Sequence, residues 1–362
     1  MSLLSKWVGA SSLVGLDIGS HTLKLAQLRP KKSSFILESL ATLGLPRGTV
    51  VEGDVLDPLT LEEAIKELFA KEKIQTKSIA FAVCGSSVIS KKISIPAMSE
   101  MELEDQISVI ASQYIPIPAD EMNVDYQLLP VNPNEAQKMD LVVTAVKKDF
   151  LEIITTVIEA ADLKPTIIET TASALSNAYR NLFPSLIQGG QGGQEELLAL
   201  LHIGGSLTHF VILEKGTATY HTEIPFGGHH ISDEISNELH LNFSEAEALK
   251  ISSHKEKNIP EAIHTIIEKT SHTLCTQVQE TLTTFINQNP KARLDKLHLS
   301  GGTSKIALLQ EGLAQKTGLS TTMLKPFDSI SYNAKVFAPT FLEDLGPLLF
   351  VALGLASRSK TS

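Results

Sequence analysis

The sequence predicts an α/β protein with two related domains and a smaller module inserted in the first. The main observation is a short turn that occurs twice, at 14–25 and at 200–211. In both copies apolar residues and one polar residue lead into Ile-Gly, small polar residues and a second apolar run, which predicts strand, tight turn and strand. Glycine lets the backbone approach a ligand closely, and successive amides can bind an anion. We therefore expect the two turns to face each other as a phosphate clamp between the domains.

The first domain is predicted to begin with residues 1–87. Apolar and polar residues alternate as in strands at 14–28 and 34–44. A loop punctuated by glycine and proline follows, and apolar spacing then predicts a helix at 61–69. A strand at 78–83 completes this part of the domain.

The inserted module is predicted at 88–162. Its first strand ends at a proline, and Ser99 with Glu102 forms a capping box that starts a helix. Two further strands, at 124–129 and 139–146, and a second helix complete the order β-α-β-β-α. A unit of roughly 70 residues is large enough to form a subdomain.

A glutamine- and glycine-rich run at 188–194 lies immediately before the second copy of the turn. Its composition predicts a flexible loop and a domain boundary. We therefore assign 163–196 to the first domain and its linker, 197–335 to a second domain, and 336–362 to a C-terminal helix that returns to the first domain. Helices are predicted in these parts at 172–182, 231–239, 244–251, 262–285 and 348–356.

Composition and charge indicate a globular protein that does not bind nucleic acid. The 362 residues, 43% hydrophobic and 20% charged, are typical of a soluble globular protein with two or more domains. A net charge of −10 without a Lys/Arg block argues against a nucleic-acid partner, because phosphate binding needs a positive surface. Cys84 and Cys275 lie in apolar sequence and are expected to be buried free thiols, as in a reducing compartment.

The apolar runs predict a cytosolic protein. No apolar core long enough for a signal peptide precedes Asp17. The longest apolar run, 345–356, contains glycine and proline and is too short to span a bilayer, so it predicts a buried helix. Any membrane association is therefore expected to come through a partner.

A third glycine turn, Ser300-Gly301-Gly302-Thr303, ends a predicted strand and opens a helix. The chain has no G-x-x-x-x-G-K-[ST] and no G-x-G-x-x-G, which excludes a P-loop protein and a simple dinucleotide site. One glycine turn alone is usually structural. Three glycine turns in this order favour a ligand-binding site over three unrelated structural turns.

The ordered trio resembles the actin-like ATPase superfamily, which includes actin, the chaperone Hsp70, sugar kinases and the division protein FtsA. The resemblance implies two α/β domains of the actin-like (ribonuclease H-like) fold that clamp Mg-ATP. The first two turns would hold the phosphates and the third would hold adenosine. The module at 88–162, with Tyr114-Ile115-Pro116 and Val124-Asp125-Tyr126, lies where FtsA-like proteins carry an inserted subdomain.

Several further motifs resemble the type IV pilus assembly protein PilM family over roughly residues 10–358. They are the opening 15–20, the segments 145–148 and 160–165, Ser300-Gly301-Gly302, Lys325-Pro326-Phe327 and the terminal 352–356. The resemblance implies an ATP-binding cytoplasmic adaptor of the inner-membrane type IV pilus assembly platform, peripheral to the inner membrane through a partner. It would dock the N-terminal cytoplasmic tail of a PilN-like membrane protein beside the inserted subdomain and link it to the assembly motor and platform proteins.

Other functions stay open at this point. An adaptor of a related type II secretion system cannot be separated from a pilus adaptor by sequence. A small-molecule kinase of the superfamily would need a catalytic aspartate and a sugar pocket, and the sequence has no clear signature for either. A scaffold that has lost nucleotide binding is the third alternative.

The resemblance also places individual residues in the cofactor site. Asp17 would face Mg²⁺ through water, which suits an ion that keeps most of its waters, and Lys24 would contact a phosphate. Their structural alternatives are a turn aspartate and a solvated strand lysine. The nucleotide-binding residues implied are Asp17, Gly19, Ser20, His21, Thr22, Lys24, Gly204, Gly205, Ser206, Gly227, Gly228, Glu247, Lys250, Gly301, Gly302 and Thr303.

Two glutamates have structural alternatives of their own. Glu169 occupies the position of a residue that orients the attacking water and could act as a general base. Alternatively, it is a helix-entry carboxylate favoured by the helix dipole. Glu247, implied to bind ribose or base together with Lys250, could instead form a capping box with Ser244.

His202 departs from the superfamily pattern, which has a second aspartate at this position. An imidazole cannot replace a carboxylate as a metal-facing acceptor. It could still contact a phosphate, so we expect ATP binding with weak or absent hydrolysis. His229, His230 and the other histidines show no metal-ligand spacing and are expected to be polar surface residues.

Overall fold

The computed structural model describes residues 13–32, 34–130, 137–187, 197–253 and 260–360. Its strands form sheets of six, five, three and two strands. The predicted linker at 188–194 lies outside the described residues. The strands are β1 (Val14–Ile18), β2 (Thr22–Lys31), β3 (Ser34–Gly44), β4 (Val50–Val51), β5 (Asp54–Val55), β6 (Ser78–Val83), β7 (Val88–Pro96), β8 (Met122–Leu128), β9 (Lys138–Lys147), β10 (Lys164–Thr170), β11 (Leu197–Ile203), β12 (Thr208–Glu214), β13 (Thr217–Ile224), β14 (Leu294–Ser300), β15 (Ser320–Met323) and β16 (Ile330–Ser331).

The helices predicted from apolar spacing are present, as is the predicted capping box of Ser99 and Glu102. The described helices are α1 (Pro58–Lys71), α2 (Glu100–Ser112), α3 (Lys148–Ala160), α4 (Thr171–Leu182), α5 (Pro184–Ile187), α6 (Gly228–Leu239), α7 (Phe243–Ser252), α8 (Glu261–Gln288), α9 (Ala307–Thr317), α10 (Pro339–Leu345) and α11 (Phe350–Ala356). Of these, α5 and α10 were not predicted.

The six-stranded sheet has the order β10-β6-β1-β2-β3-β16. Antiparallel β1 and β2 are the predicted hairpin, and their register places Asp17 opposite Lys24. We call this sheet, with α1, α3, α4 and α11 packed on it, the first lobe. Its hairpin carries the first glycine turn.

The five-stranded sheet has the order β13-β12-β11-β14-β15. Antiparallel β11 and β12 form the second hairpin, and β14 runs parallel to β11 with Ser300 opposite His202. The second and third glycine turns therefore follow neighbouring strands at the same edge. We call this sheet, with α6 to α9, the second lobe.

The predicted inserted segment forms its own sheet, with the order β7-β9-β8. It has a separate apolar core in which Leu103 and Ala111 of α2 pack against Leu141, Val143 and related residues of the sheet. The element order β-α-β-β-α is the predicted one, but α3 packs in the apolar core of the first lobe and not in that of the module, so β7, β8, β9 and α2 form the separate unit.

Helix α11 is fully buried, as the longest apolar run predicts. It contacts α4, β1, β2 and β6. Gly15 and Gly354 make this packing close: a Cβ at Gly354 would lie 1.9 Å from the Ala174 carbonyl oxygen. Among the described helices none alone is long and apolar enough to cross a membrane, and only α10 with α11, bent by 100°, meet that test of length and composition as a pair.

Candidate functional site

The two hairpins and the third glycine turn meet at a cleft of about 390 Å³ between the two lobes. Its walls come from both sheets, as the predicted clamp requires. Most of the predicted nucleotide-binding residues line it. They are Asp17, Gly19, Ser20, His21, Thr22, Lys24, Gly204, Gly205, Ser206, Glu247, Lys250, Gly302 and Thr303.

The first turn carries an ion pair into the cleft. Lys24 Nζ donates to Asp17 Oδ2 at 3.0 Å and to the Thr22 carbonyl oxygen at 3.2 Å. Both side chains of the pair are largely buried, with 13% and 12% exposure. Gly19 leaves room for this ammonium group, since a Cβ there would lie 2.6 Å from Nζ. The solvated-lysine alternative is therefore wrong, and both charged groups line the cleft.

The second turn faces the first across the cleft. Ser20 Oγ and Ser206 Oγ share a hydrogen bond at 2.5 Å, and the Glu52 amide donates to Ser206 at 3.3 Å. Gly205 packs against His21, because a Cβ at Gly205 would lie 3.3 Å from the His21 Cβ. The two turns are thus in direct contact, as the doubled sequence pattern predicts.

His202 lies on the second-lobe side of the cleft and is buried. Its Nδ1 shares a 3.0 Å hydrogen bond with Ser300 Oγ, the residue opposite it on β14. Burial lowers the pKa of His202 to about 4. The imidazole is therefore neutral at neutral pH and supplies neither a carboxylate nor a cation to the cleft.

Glu247 and Lys250 form a buried ion pair one helical turn apart. Lys250 Nζ donates to Glu247 Oε2 at 2.7 Å and to the Gly228 carbonyl oxygen at 3.0 Å, and Ser232 Oγ donates to the same carboxylate at 2.5 Å. Burial opposes ionisation of Glu247, but the Lys250 charge and these hydrogen bonds outweigh it and lower the Glu247 pKa. Glu247 Oε1 also lies 3.8 Å from His21 on the first turn.

The capping alternative for Glu247 is wrong. Helix α7 begins at Phe243, and its capping box consists of Asn242 and Glu245 instead of Ser244 and Glu247. The Glu245 amide donates to Asn242 Oδ1, and the Asn242 amide donates to Glu245, both at 3.0 Å. Glu247 is consequently left to face the cleft.

The third turn packs on the second. Thr303 Oγ1 donates to the Gly204 carbonyl oxygen at 2.9 Å. Gly301 has φ +91°, and a Cβ there would lie 2.3 Å from the Ile203 carbonyl oxygen. Gly302 lines the cleft, whereas Gly301 does not, so Gly301 serves the close approach of two backbone segments.

Gly227 and Gly228 are also absent from the cleft lining. A Cβ at Gly227 would lie 2.5 Å from the Gly205 carbonyl oxygen, and one at Gly228 would lie 2.5 Å from Thr303 Oγ1. The Gly228 amide donates to the Gly204 carbonyl oxygen and the Gly227 amide to His230 Nδ1, so neither donates into the cleft. The absence of side chains at these two glycines lets the start of helix α6 pack closely against the second and third turns.

The structure does not bring Glu169 to the cleft. Asn177 Nδ2 donates to both of its carboxylate oxygens, at 2.8 and 3.1 Å, and Arg358 Nε lies 2.7 Å from Oε1. The adjoining helix is capped by Thr170, so Glu169 is not its entry residue either. Its contacts give it a structural role, tying α4 to the C-terminal segment.

Several cleft residues carry no turn motif and escaped prediction. An apolar wall comes from Ile251, Leu345, Leu348 and Val351. Lys305 and Asp344, which form an ion pair, lie beside it. Four of these residues lie at 344–351, and the packing of α11 on the first lobe is what brings this segment beside Ile251 and Lys305.

The histidines are not surface residues as a group. His209 is 5% exposed, and its imidazole lines the cleft. His229 also lines the cleft, where burial lowers its pKa to about 4. His230, by contrast, is exposed as expected. The continuous apolar run that follows His209 on β12, a strand buried at every residue except Glu214, would have been the signal for His209.

Solved structures with related folds support the actin-like architecture. The PilM-PilN type IV pilus biogenesis complex contains a chain 24% identical to this one, with a TM-score of 0.85 and coverage of 98% of this chain and 100% of that chain. Ethanolamine utilization protein EutJ from Carboxydothermus hydrogenoformans is 17% identical, with a TM-score of 0.57 and coverage of 97% and 90%. MreB5 of Spiroplasma citri bound to AMPPNP is 14% identical, with a TM-score of 0.53 and coverage of 98% and 97%.

Comparison of the amino-acid sequence with family models identifies the family of this chain. A family model described as type IV pilus assembly protein PilM matches residues 15–360, which include every element of the cleft described above except the first residue of β1. The chain therefore belongs to the type IV pilus assembly protein PilM family.

Proposed function

We propose that this protein is an ATP-binding cytoplasmic adaptor of the type IV pilus assembly platform, with ATP held in the cleft between its lobes. The observation that carries the proposal is the meeting of three glycine turns around two buried ion pairs, Asp17–Lys24 and Glu247–Lys250. MreB5 of Spiroplasma citri, which shares the fold, has AMPPNP bound in its structure. A site of this kind fits a nucleotide better than an uncharged ligand.

The triphosphate is assigned to the part of the cleft that the first two turns line. Lys24 supplies a cation there, and the amides of the turns can donate to phosphate oxygens. Asp17 uses one oxygen to accept from Lys24 and has a second that can accept from a Mg²⁺-bound water. Magnesium would neutralise phosphate charge, and the chain contributes only this one acidic side chain on the first turn.

The nucleoside is assigned to the other end of the cleft. Glu247 can accept from ribose hydroxyls, and its pairing with Lys250 keeps it ionised and in place. The apolar wall that includes Ile251 and Leu348 offers a surface for the flat base. Gly302, which has no side chain, lets the backbone lie beside it.

Hydrolysis is expected to be slow or absent. The second turn presents neutral His202 instead of a carboxylate, and Glu169 is engaged with Asn177 and Arg358 outside the cleft lining. Neither residue is placed to activate water. ATP then acts as a ligand that favours the closed cleft through its different affinity for the open and closed states.

The partner proposed for this adaptor is the N-terminal cytoplasmic tail of a PilN-like inner-membrane protein. The related chain in the PilM-PilN complex is assembled with PilN. Docking on such a tail would place this protein at the cytoplasmic side of the inner membrane, next to assembly motor and platform proteins. The three-stranded sheet with α2 is the proposed inserted subdomain at 88–162, and the tail is proposed to bind beside it.

The ATP proposal can be tested by calorimetric titration of the purified protein with Mg-ATP. We expect Lys24→Ala and Asp17→Ala to weaken binding at least about tenfold, since each removes a charged contact in a buried setting. The matched control is Lys77→Ala, because Lys77 forms a similar pair with Asp162 on the exposed surface. Absence of binding to the native protein, or equal weakening by the control, would contradict the proposal.

Turnover measured in the same preparation separates the alternatives. We expect little phosphate release from ATP. Phosphorylation of an added sugar would instead identify a kinase. A pull-down with a peptide of the PilN-like tail, with and without ATP, tests the adaptor role. If the peptide captures the protein in neither condition, the adaptor role is rejected.

A further inference from the structure

Four side chains of the types that bind metals lie together where the two lobes meet: Cys84, His209, His221 and Glu223. Cys84 follows β6 of the first lobe, while the other three belong to β12 and β13 of the second. Ligand atoms of Cys84, His209 and Glu223 all lie within 4.8 Å of one another. Three separate segments of the chain therefore bring sulfur, imidazole and carboxylate donors to one point.

The strand register explains this convergence. His209 pairs directly with Glu223 across β12 and β13, and His221 lies two residues from Glu223 on the same face. Glu223 Oε1 is 3.5 Å from His209 Nδ1 and 3.9 Å from His221 Nε2, and the two imidazole nitrogens are 3.3 Å apart. Two ligands of one tetrahedral zinc ion lie about 3.4 Å apart, given metal–ligand bonds of about 2.1 Å. The 3.5 Å separation of His209 and Glu223 is of that size, and the Cys84 sulfur lies within 4.8 Å of a ligand atom of each.

The carboxylate is fixed but lacks a counter-charge from these neighbours. The Gly85 amide donates to both oxygens of Glu223, at 3.0 and 3.2 Å, which sets the orientation of the carboxylate. The side chains of His209 and His221 are largely enclosed, with 6% and 14% exposure. Neutral imidazole is the form that binds a metal.

We propose that Cys84, His209 and Glu223 bind a divalent ion of the zinc class between the two lobes, with His221 enclosing the site beside His209 and Glu223. The donor set selects zinc or cobalt over magnesium, which prefers oxygen ligands alone. Binding requires the Cys84 thiolate, so its proton is released to solvent. Cys84 and His209 line the same cleft as Asp17 and Lys24, but the proposed metal ligands include neither Asp17 nor Lys24.

The test is titration of the metal-free, nucleotide-free protein with Co²⁺ as a spectroscopic substitute for Zn²⁺. We expect one equivalent to bind with the near-ultraviolet absorption of a cobalt–thiolate bond. Cys84→Ser should lose this absorption and bind Zn²⁺ at least about tenfold more weakly. Cys275→Ser is the matched control, because Cys275 is the other thiol and lies in the core of the second lobe. A thiolate band missing from the native protein, or retained by Cys84→Ser, would overturn the proposal.

A second measurement does not depend on the thiol. Glu223→Gln keeps an oxygen that can accept from Gly85 but removes the ionic ligand. Zn²⁺ should raise the melting temperature of the native protein and of Cys275→Ser, because a ligand that binds the folded state stabilises it. It should raise that of Glu223→Gln much less. An equal rise in both proteins would show that the ion binds elsewhere.

Discussion

His202 shows how burial decides the charge of a residue that the sequence can only position. Its place after an apolar strand was predictable, and so was its difference from a superfamily aspartate. Its protonation state follows instead from enclosure by β12 and β14 and from the hydrogen bond with Ser300. A neutral imidazole leaves the second turn without a formal charge, while Asp17 and Lys24 charge the first.

The lowered pKa of His202 predicts acid sensitivity. The unfolded chain binds a proton near pH 6.5, whereas the native protein does so only near pH 4. Stability is therefore lost as the pH falls through this range, by about 3 kcal/mol from His202 alone. We expect His202→Gln, which can still hydrogen-bond Ser300, to reduce the loss between pH 7 and about pH 4.5 by about 2 kcal/mol.

Urea unfolding at both pH values measures this effect. His272→Gln is the control, since His272 is exposed on α8, and it should leave the pH dependence unchanged. If His202→Gln were as acid-sensitive as the native protein, the imidazole would not be the source of the loss.

At the scale of single elements, the start of α7 shows which of two possible N-cap residues the helix uses. Asn242 and Ser244 are both good N-cap residues, each with a glutamate three positions later. The structure uses Asn242 and Glu245, which frees Glu247 to pair with Lys250.

Substitutions at the two candidate caps should therefore have different effects. Asn242→Ala removes the side chain that accepts from the Glu245 amide and should cost about 1 kcal/mol of stability. Ser244→Ala is the internal control, because Ser244 lies exposed within the helix, and should change stability by less than about 0.5 kcal/mol. Chemical denaturation of both variants decides the issue, and a larger effect at Ser244 would place the cap there.

Helix α11 packs closely against α4 at Gly354, and helix propensity alone would predict the wrong effect of a substitution there. Alanine is a better helix former than glycine by about 1 kcal/mol, so Gly354→Ala would be stabilising in an isolated helix. In the protein its Cβ would lie 1.9 Å from the Ala174 carbonyl oxygen. We expect a loss of at least about 2 kcal/mol, because the helices must separate.

Gly44→Ala is the comparison for this variant, since a Cβ at Gly44 meets nothing within 4 Å. It should change the free energy of unfolding by less than about 0.5 kcal/mol. Equal stability of Gly354→Ala and the native protein would mean that α11 does not pack as closely as described.

The elements that the sequence predicts well are those whose pattern is local. Both hairpins, the Ser99 capping box and the long α8 follow from residues a few positions apart. The pairs β4–β5 and β16–β3 were missed, since strands of two residues carry no periodicity. In the cleft, the turn residues were predictable, whereas Leu348 and Lys305 enter only through tertiary packing.

At the scale of the whole molecule, the two lobes are joined across the cleft by polar contacts. Ser20 meets Ser206, and His21 approaches Glu247 inside the cleft. At the surface, Arg47 donates to both oxygens of Asp233, at 2.6 and 2.8 Å, and its guanidinium lies 4.3 Å from the Phe243 ring centroid. Because Arg47 follows β3 of the first lobe and Asp233 lies on α6 of the second, this pair favours the closed cleft.

Loss of the Arg47–Asp233 pair should therefore speed the release of nucleotide, on the proposal that ATP binds between the lobes. Both partners are partly exposed, at 52% and 38%, so the pair contributes only about 0.5–1 kcal/mol even with its bidentate geometry. Arg47→Ala should raise the dissociation rate of a fluorescent ATP analogue in stopped flow by about two- to fivefold. Arg29→Ala breaks an equally exposed pair, with Glu38, inside the first lobe and should leave that rate unchanged. Equal acceleration by both substitutions would indicate a general electrostatic effect, whereas acceleration by Arg47→Ala alone would identify this contact as one that holds the lobes together.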